Sequence, residues 1–172
     1  PALVDLEPPV LTLLGASVVT RQCGSGVYTD AGATAADDVD GDISSRIVVT
    51  VLRGGSTVTA VDTTTLGDYP IRYEVSDNAG HIATPVTRTV SVVDTVAPII
   101  TLTGSPALIA ACRGNYVDAG ATATDSCDGD LLVTVTGAVD TTGPGVYILT
   151  YNATDSEGNA ATTVTRTVTV AD

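Results

Sequence analysis

The sequence contains no lysine, tryptophan, phenylalanine or methionine, and only one histidine among 172 residues. Without lysine, all seven basic residues are arginine, and the net charge is −13. Such a chain repels nucleic-acid phosphate and anionic membranes, and it attracts cations. Without phenylalanine or tryptophan, any core must rest on small aliphatic residues and the six tyrosines. Three cysteines with no CxxC spacing argue against a zinc or haem site. No apolar run approaches the roughly 20 residues of a membrane span. The sequence starts at Pro1 rather than Met. A cut domain boundary and a processed secreted product would both give that start.

What is present points to β-structure. The 29 threonines and many valines are β-branched and favour strands. Glycine and proline fall in short clusters, as turns between strands require. A hydrophobic content of 44% separates the chain from disordered acidic tails. The expected fold class is all-β.

Internal repetition is the strongest signal. "DAGATA" occurs at Asp30–Ala35 and at Asp118–Ala123, and "DGD" at Asp40–Asp42 and Asp128–Asp130. "VTRTVSVVD", ending at Asp94, matches "VTRTVTVAD", ending at Asp172. The tyrosines pair between copies: Tyr28 with Tyr116, Tyr69 with Tyr147, Tyr73 with Tyr151. "VDLEPPVLTL" near the start resembles the junction "VDTVAPIITL", so Ala2–Asp5 reads as the end of a preceding repeat or an N-terminal extension. The expected organisation is residues 1–8 as linker, 9–94 as the first repeat and 95–172 as the second. The first repeat carries an insertion, read as an extra hairpin near 46–62 in which "RGGS" supplies the tight turn. It is either a tolerated surface insertion or a partner-contact element.

Alternation places strands in each copy. Tyr69, Ile71, Tyr73 and Val75 share one face, as do Tyr147, Leu149, Tyr151 and Ala153. Strands buried on one side suit a two-sheet sandwich. "GDY" and "GVY" resemble the strand entrance of a tyrosine corner.

The segments "YTDAGATAADDVDGDI", "YVDAGATATDSCDGDL", "YEVSDNAG" and "YNATDSEGNAA", with the "VDTVAP" junction, resemble a bacterial surface immunoglobulin-like repeat. Hyalin-type repeats look like distant relatives. The resemblance covers nearly the whole chain. It implies two tandem immunoglobulin-like β-sandwich domains and an extracellular or cell-surface setting. It implies no single activity, because such modules serve as spacers, stalks, assembly units and accessory domains.

In an immunoglobulin-like sandwich, the loop after the second strand, the loop before the last strand and the incoming linker lie at one end. Asp5, Asp37, Asp40, Asp42 and Asp77 would converge in the first copy, and Asp94, Asp125, Asp128, Asp130 and Asp155 in the second. Ca²⁺ takes six to eight oxygen ligands in irregular geometry, so these acids are the candidate metal ligands. The competing reading is a set of solvated Asx turns. No catalytic residues are assigned: the carboxylates recur in tandem, and His81, read as an exposed turn residue, has Asn159 in its place in the second copy.

Cys112 and Cys127 bracket one strand of the second copy and are expected to form a disulfide, closing a loop of about 15 residues worth roughly 3 kcal/mol. Cys23 is left as a buried thiol, a surface thiol or half of an intermolecular bridge. Lys–Asn amide crosslinks, found in many extracellular sandwich domains, are impossible here. Asn152-Ala-Thr154 is a glycosylation sequon.

The expected function is a non-catalytic extracellular structural module that builds a stalk, surface layer or filament and is stabilised by calcium. Its partners are other copies or neighbouring repeats. The alternative is an adhesin or carbohydrate-binding accessory module that meets a surface glycan or host ligand. The "VTRTV" strands are read as sheet edges open to strand addition, each guarded by one arginine.

Overall fold

The structure is a computed structural model, and it describes residues 4–172. Ala2, part of the expected linker segment, lies outside the described residues. The chain divides into two compact units, Pro1–Asp94 and Thr95–Asp172. Among the described residues there is no α-helix, only one 3-10 turn at Ser44–Arg46.

The first unit contains β1 (Val10–Leu13), β2 (Val18–Gln22), β3 (Ala33–Asp37), β4 (Gly41–Asp42), β5 (Val48–Arg53), β6 (Ser56–Val58), β7 (Gly67–Glu74) and β8 (Val86–Val93). They form one sheet of order β1-β3-β4 and another of order β2-β8-β7-β5-β6. The second unit contains β9 (Ile99–Leu102), β10 (Ala107–Ala111), β11 (Ala121–Asp125), β12 (Gly129–Leu131), β13 (Thr134–Thr136), β14 (Gly145–Asn152) and β15 (Val164–Ala171). Its sheets run β12-β11-β9 and β10-β15-β14-β13. Each unit is a two-sheet sandwich.

The alternating tyrosine strands fill the interior. Tyr69, Ile71, Tyr73 and Val75 are buried along β7 and just beyond it. In the second unit Leu149, Tyr151 and Ala153 pack with Ile100 and Ala123 from the facing sheet. The Tyr69 hydroxyl donates to the Thr65 carbonyl at 3.1 Å, which ties the turn before β7 to the strand. β5 and β6 form a hairpin, and Gly54 and Gly55 both take positive φ (56° and 83°), as a two-residue type I′ turn demands.

The structure corrects the reading of the "VTRTV" strands. β8 is not an edge: β2 pairs along one side in parallel and β7 along the other in antiparallel register. β15 lies in the same way between β10 and β14. Their arginines are not surface guards either, since Arg88 and Arg166 are 1% exposed. The parallel neighbours β2 and β10 are short and lack clean alternation, which is why periodicity does not reveal them.

Each buried arginine is fully engaged. Arg166 donates through Nη1 to Asp118, through Nε to the Ser105 carbonyl at 3.1 Å and through Nη2 to the Thr103 carbonyl at 2.5 Å. Asp118 also accepts from Tyr151, with both oxygens at 2.8 Å, and from Tyr116 at 3.0 Å. Arg88, Asp30, Tyr73 and Tyr28 repeat this arrangement in the first unit. A buried guanidinium is tolerated only when its donors are paired, and here a carboxylate and backbone carbonyls pair them. The "DAG" aspartates, legible in the sequence only as repeat markers, are the counter-ions.

The expected Cys112–Cys127 disulfide is not formed, and Cys112 is the free thiol. Its amide donates to the Ala171 carbonyl at 2.8 Å, level with the end of β15 and the start of β14. Cys127 lies in the turn after β11, beside the loop that follows the end of β14. The two are thus separated by the length of an eight-residue strand, roughly 25 Å, whereas bonded cysteines need Cα atoms within about 7 Å. Spacing around one strand does not bring cysteines together when the chain crosses the sandwich between them. Cys23 and Cys127 are both disulfide-bonded.

Candidate metal-binding loops

The candidate site of the first unit begins at the end of β3. The Asp37 Oδ1 accepts from the amides of Val39 (2.9 Å) and Asp40 (2.8 Å), an Asx turn that closes the loop locally. Its Oδ2 is buried with no hydrogen-bond partner. Asp77 arrives from the loop after β7. Its Oδ1 accepts from the amides of Gly80 (2.6 Å) and His81 (2.8 Å), and its Oδ2 lies 3.0 Å from His81 Nδ1. Asp5 comes from the segment before β1. Its Oδ1 is buried with no hydrogen-bond partner and lies 3.8 Å from His81 Nδ1.

These groups meet. Asp5, Asp77 and His81 offer ligand atoms within 4.8 Å of one another, and so do Asp5, Asp37 and Asp38. Burial pushes the Asp5 carboxyl up, and the charges of Asp37 and Asp77 push it further. Burial acts the same way on Asp77, but the amides of His81 and Gly80 and the imidazole outweigh it and hold that carboxyl low.

Two of the expected ligands do other work. Asp40 accepts from the Asn78 amide at 2.7 Å and side chain at 2.8 Å, which fastens one loop to the other. Asp42 accepts from the Ser44 amide and hydroxyl at 2.9 and 2.6 Å and fixes the 3-10 turn. Sequence reasoning overlooked Asp38, whose only signal was adjacency to Asp37. It also placed His81 in an open turn, whereas the ring faces the carboxylates of Asp5 and Asp77.

The second unit repeats the plan. Asp125 Oδ1 accepts from the amides of Cys127 (2.6 Å) and Asp128 (3.2 Å), and its Oδ2 is buried with no hydrogen-bond partner. Asp155 is buried. It accepts from the Glu157 amide (3.0 Å), the Asn159 amide (2.7 Å) and the Asn159 side chain (2.8 Å). Asp125 and Asp155 bring carboxylate oxygens within 4.8 Å of each other. Asp128 is the fastener, accepting from the Ser156 amide and hydroxyl at 2.7 and 3.0 Å. Asp130 is exposed on β12, opposite Thr124. Asp94, in register with Asp5, is buried and accepts from Gln22 Nε2 at 2.6 Å.

Buried carboxylate oxygens that lack hydrogen-bond donors cost free energy unless a cation compensates them. The carboxylate donors are hard oxygen, which fits Ca²⁺, and His81 adds an imidazole nitrogen in the first unit. Asp40, Asp42 and Asp128 are held in the loops by hydrogen bonds, while oxygens of Asp5, Asp37 and Asp125 meet no protein donor.

The family described as "Bacterial surface protein, Ig-like domain" matches residues 11–92 and 100–170. No curated protein sequence matches the chain. Among solved structures, the lipoprotein BT2262 from Bacteroides thetaiotaomicron is 32% identical over 44% of this chain and 38% of that one, with a TM-score of 0.39. The M60 catalytic domain of Clostridium perfringens ZmpB, with its CBM51-1 and CBM51-2 domains, is 12% identical over 95% of this chain and 31% of that one, at TM-score 0.45. Drosophila N-cadherin EC1-3 is 17% identical, covering 96% and 68%, at TM-score 0.34. The chain thus spans well under half the length of the first two. With the family match running through both units, the chain belongs to the bacterial surface protein Ig-like domain family.

Proposed function

We propose that this chain is a non-catalytic extracellular structural module whose units each hold a calcium ion at the loop end. The carrying observation is the set of buried, unpartnered carboxylate oxygens of Asp5, Asp37 and Asp125. In the first unit, Asp5 meets Asp77 and His81 in one group of ligand atoms and Asp37 and Asp38 in another. Asp5 comes from the segment that leads into the unit. A cation there joins the incoming chain to the loops and stiffens the lead-in. In the second unit Asp125 and Asp155 supply the oxygens. A module whose loops are stiffened in this way suits a stalk, surface layer or filament assembled from repeats, with other copies or neighbouring repeats as partners. With β8 and β15 internal to their sheets, assembly rests on this junction logic and not on strand addition at the "VTRTV" segments.

The adhesin or carbohydrate-binding alternative has less support. A surface groove of about 420 Å³ in the first unit is lined by Arg46, Val48, Glu74, Val75, Ser76 and Ile82. It has no aromatic ring on which a sugar could stack.

Melting in chelator and in millimolar Ca²⁺, with calorimetry, tests the reading. A ligand at a hundredfold excess over Kd that binds only the folded state adds about 2.7 kcal/mol. An unchanged melting temperature with no binding heat overturns it. Sedimentation and electron microscopy across protein and Ca²⁺ concentrations test assembly. A monomer under every condition removes the filament.

A further inference from the structure

The two loop-end clusters share a plan but differ at several positions, among them Asp38 against Ser126 and His81 against Asn159. Where the second unit has Asn159, whose side-chain amide donates to Asp155 Oδ2 at 2.8 Å, the first has His81. The asparagine adds no imidazole nitrogen to its cluster. The histidine does: its Nδ1 stands 3.0 Å from Asp77 Oδ2 and 3.8 Å from Asp5 Oδ1. The Asp77 side chain is fully buried, and that of Asp5 is 9% exposed. Asp5 Oδ1, aimed at this point, has no hydrogen-bond partner.

We infer that Asp5, Asp77 and His81 form a site for a borderline divalent transition cation of the Zn²⁺ class, confined to the first repeat. Zinc sits about 2.0–2.2 Å from nitrogen and carboxylate oxygen, which puts tetrahedral ligands about 3.3 Å apart. The two distances from His81 Nδ1 bracket that spacing, and all three ligand atoms lie within 4.8 Å of one another. Three protein ligands leave a fourth position for water. Imidazole nitrogen raises affinity for zinc and its first-row neighbours, whereas calcium selects oxygen. His81 is about one-third exposed, which leaves the ion a path from solvent. This site shares Asp5 and Asp77 with the calcium reading of the first unit, so the two ions would compete there, whereas the second repeat, with Asn159, offers no imidazole. The inference deepens the cation-binding reading above and rests on it for the convergence of the loops.

The test exploits the single histidine. In long-range ¹H–¹⁵N NMR the imidazole gives one unambiguous set of signals. Zn²⁺ added to chelator-treated, full-length protein should shift them and saturate at one equivalent. His81→Asn, which copies the residue of the second repeat, should weaken that Zn²⁺ event tenfold or more by calorimetry. If the imidazole signals do not move, or if the variant binds Zn²⁺ as tightly as the parent, the inference is overturned. The NMR result stands on the parent protein even if the variant does not fold. Melting of the parent in Ca²⁺ separates the two readings. Zn²⁺ on His81 without a Ca²⁺ response upholds this site and removes the calcium reading. A Ca²⁺ response without Zn²⁺ on His81 does the reverse.

Discussion

Arg166 donates through Nη1 to Oδ1 of Asp118, and the pair ties β15 to the loop that leads into β11. The Arg166 side chain is 1% exposed and that of Asp118 is 24% exposed. Removing the carboxylate leaves a buried guanidinium with no counter-charge. Asp118→Asn should therefore destabilise the second unit by about 3 kcal/mol, the low end for a broken buried pair because Asp118 keeps some solvent. Adding Arg166→Met should recover part of that loss. Denaturant unfolding of the single and double variants measures both effects. Equal stability of Asp118→Asn and the parent would remove the pair's structural role.

The same network sets the pH limits of the fold. Burial raises the Asp30 and Asp118 carboxyls, but hydrogen bonds from Tyr73 and Arg88, and from Tyr151, Tyr116 and Arg166, outweigh it and hold both below 3.8. A depressed carboxyl contributes stability that is present above its unfolded value and lost as pH falls through the folded one. Stability should drop below about pH 4. At the other end, burial and the Asp118 hydrogen bond push Tyr151 up to about 12. A raised tyrosine contributes stability that is complete below about pH 10 and lost as pH rises through the folded value. Unfolding free energy should therefore fall between those two values. Tyr151→Phe should flatten that alkaline decline, and denaturant titrations across pH, with tyrosinate absorbance, report it.

The unpartnered carboxylates predict an inverted mutational effect. Asp37→Asn removes one of the charges that push the Asp5 carboxyl up. In chelator the variant should melt a few degrees above the parent, since about 1 kcal/mol moves a domain this size by several degrees. In Ca²⁺ it should gain less than the parent. Calorimetric scans in the two buffers check both signs, and a variant less stable in chelator would contradict the charge argument.

Thiol chemistry offers a fourth check. Cys112 is the free thiol, and burial together with the nearby Asp172 carboxylate pushes its pKa up, which slows alkylation at neutral pH. Denatured, unreduced protein should release one thiol per chain. Peptide mapping should find it at Cys112, with Cys23 and Cys127 both oxidised. Two or more free thiols from natively purified protein would refute this.

The β5–β6 hairpin depends on its turn. Gly55→Ala places a Cβ on a residue at φ 83° and should cost the first unit about 1 kcal/mol, measured by denaturant unfolding. The second unit, which has no such turn, should unfold unchanged.

The sequence by itself determined the fold class, the two repeats and the interior face of the tyrosine strands. Those are properties of period and recurrence: alternation along Tyr69–Val75 and Tyr147–Ala153 has one solution, a strand buried on one side. It also named Asp5, Asp37, Asp77, Asp125 and Asp155, because loop acids at one end of a sandwich recur in both copies. Only the tertiary structure sorted them. Whether an aspartate faces a shared point or fastens a neighbouring loop depends on which amides its oxygens meet, and that separates Asp37 from Asp40. The same holds for Arg88 and Arg166. A charged residue inside "VTRTV" reads as surface until β2 and β10 add to the sheets and turn those strands into interior ones. Cys112 and Cys127 lie 15 positions apart in the chain yet at opposite ends of a strand, since sequence separation does not measure distance across a folded sheet.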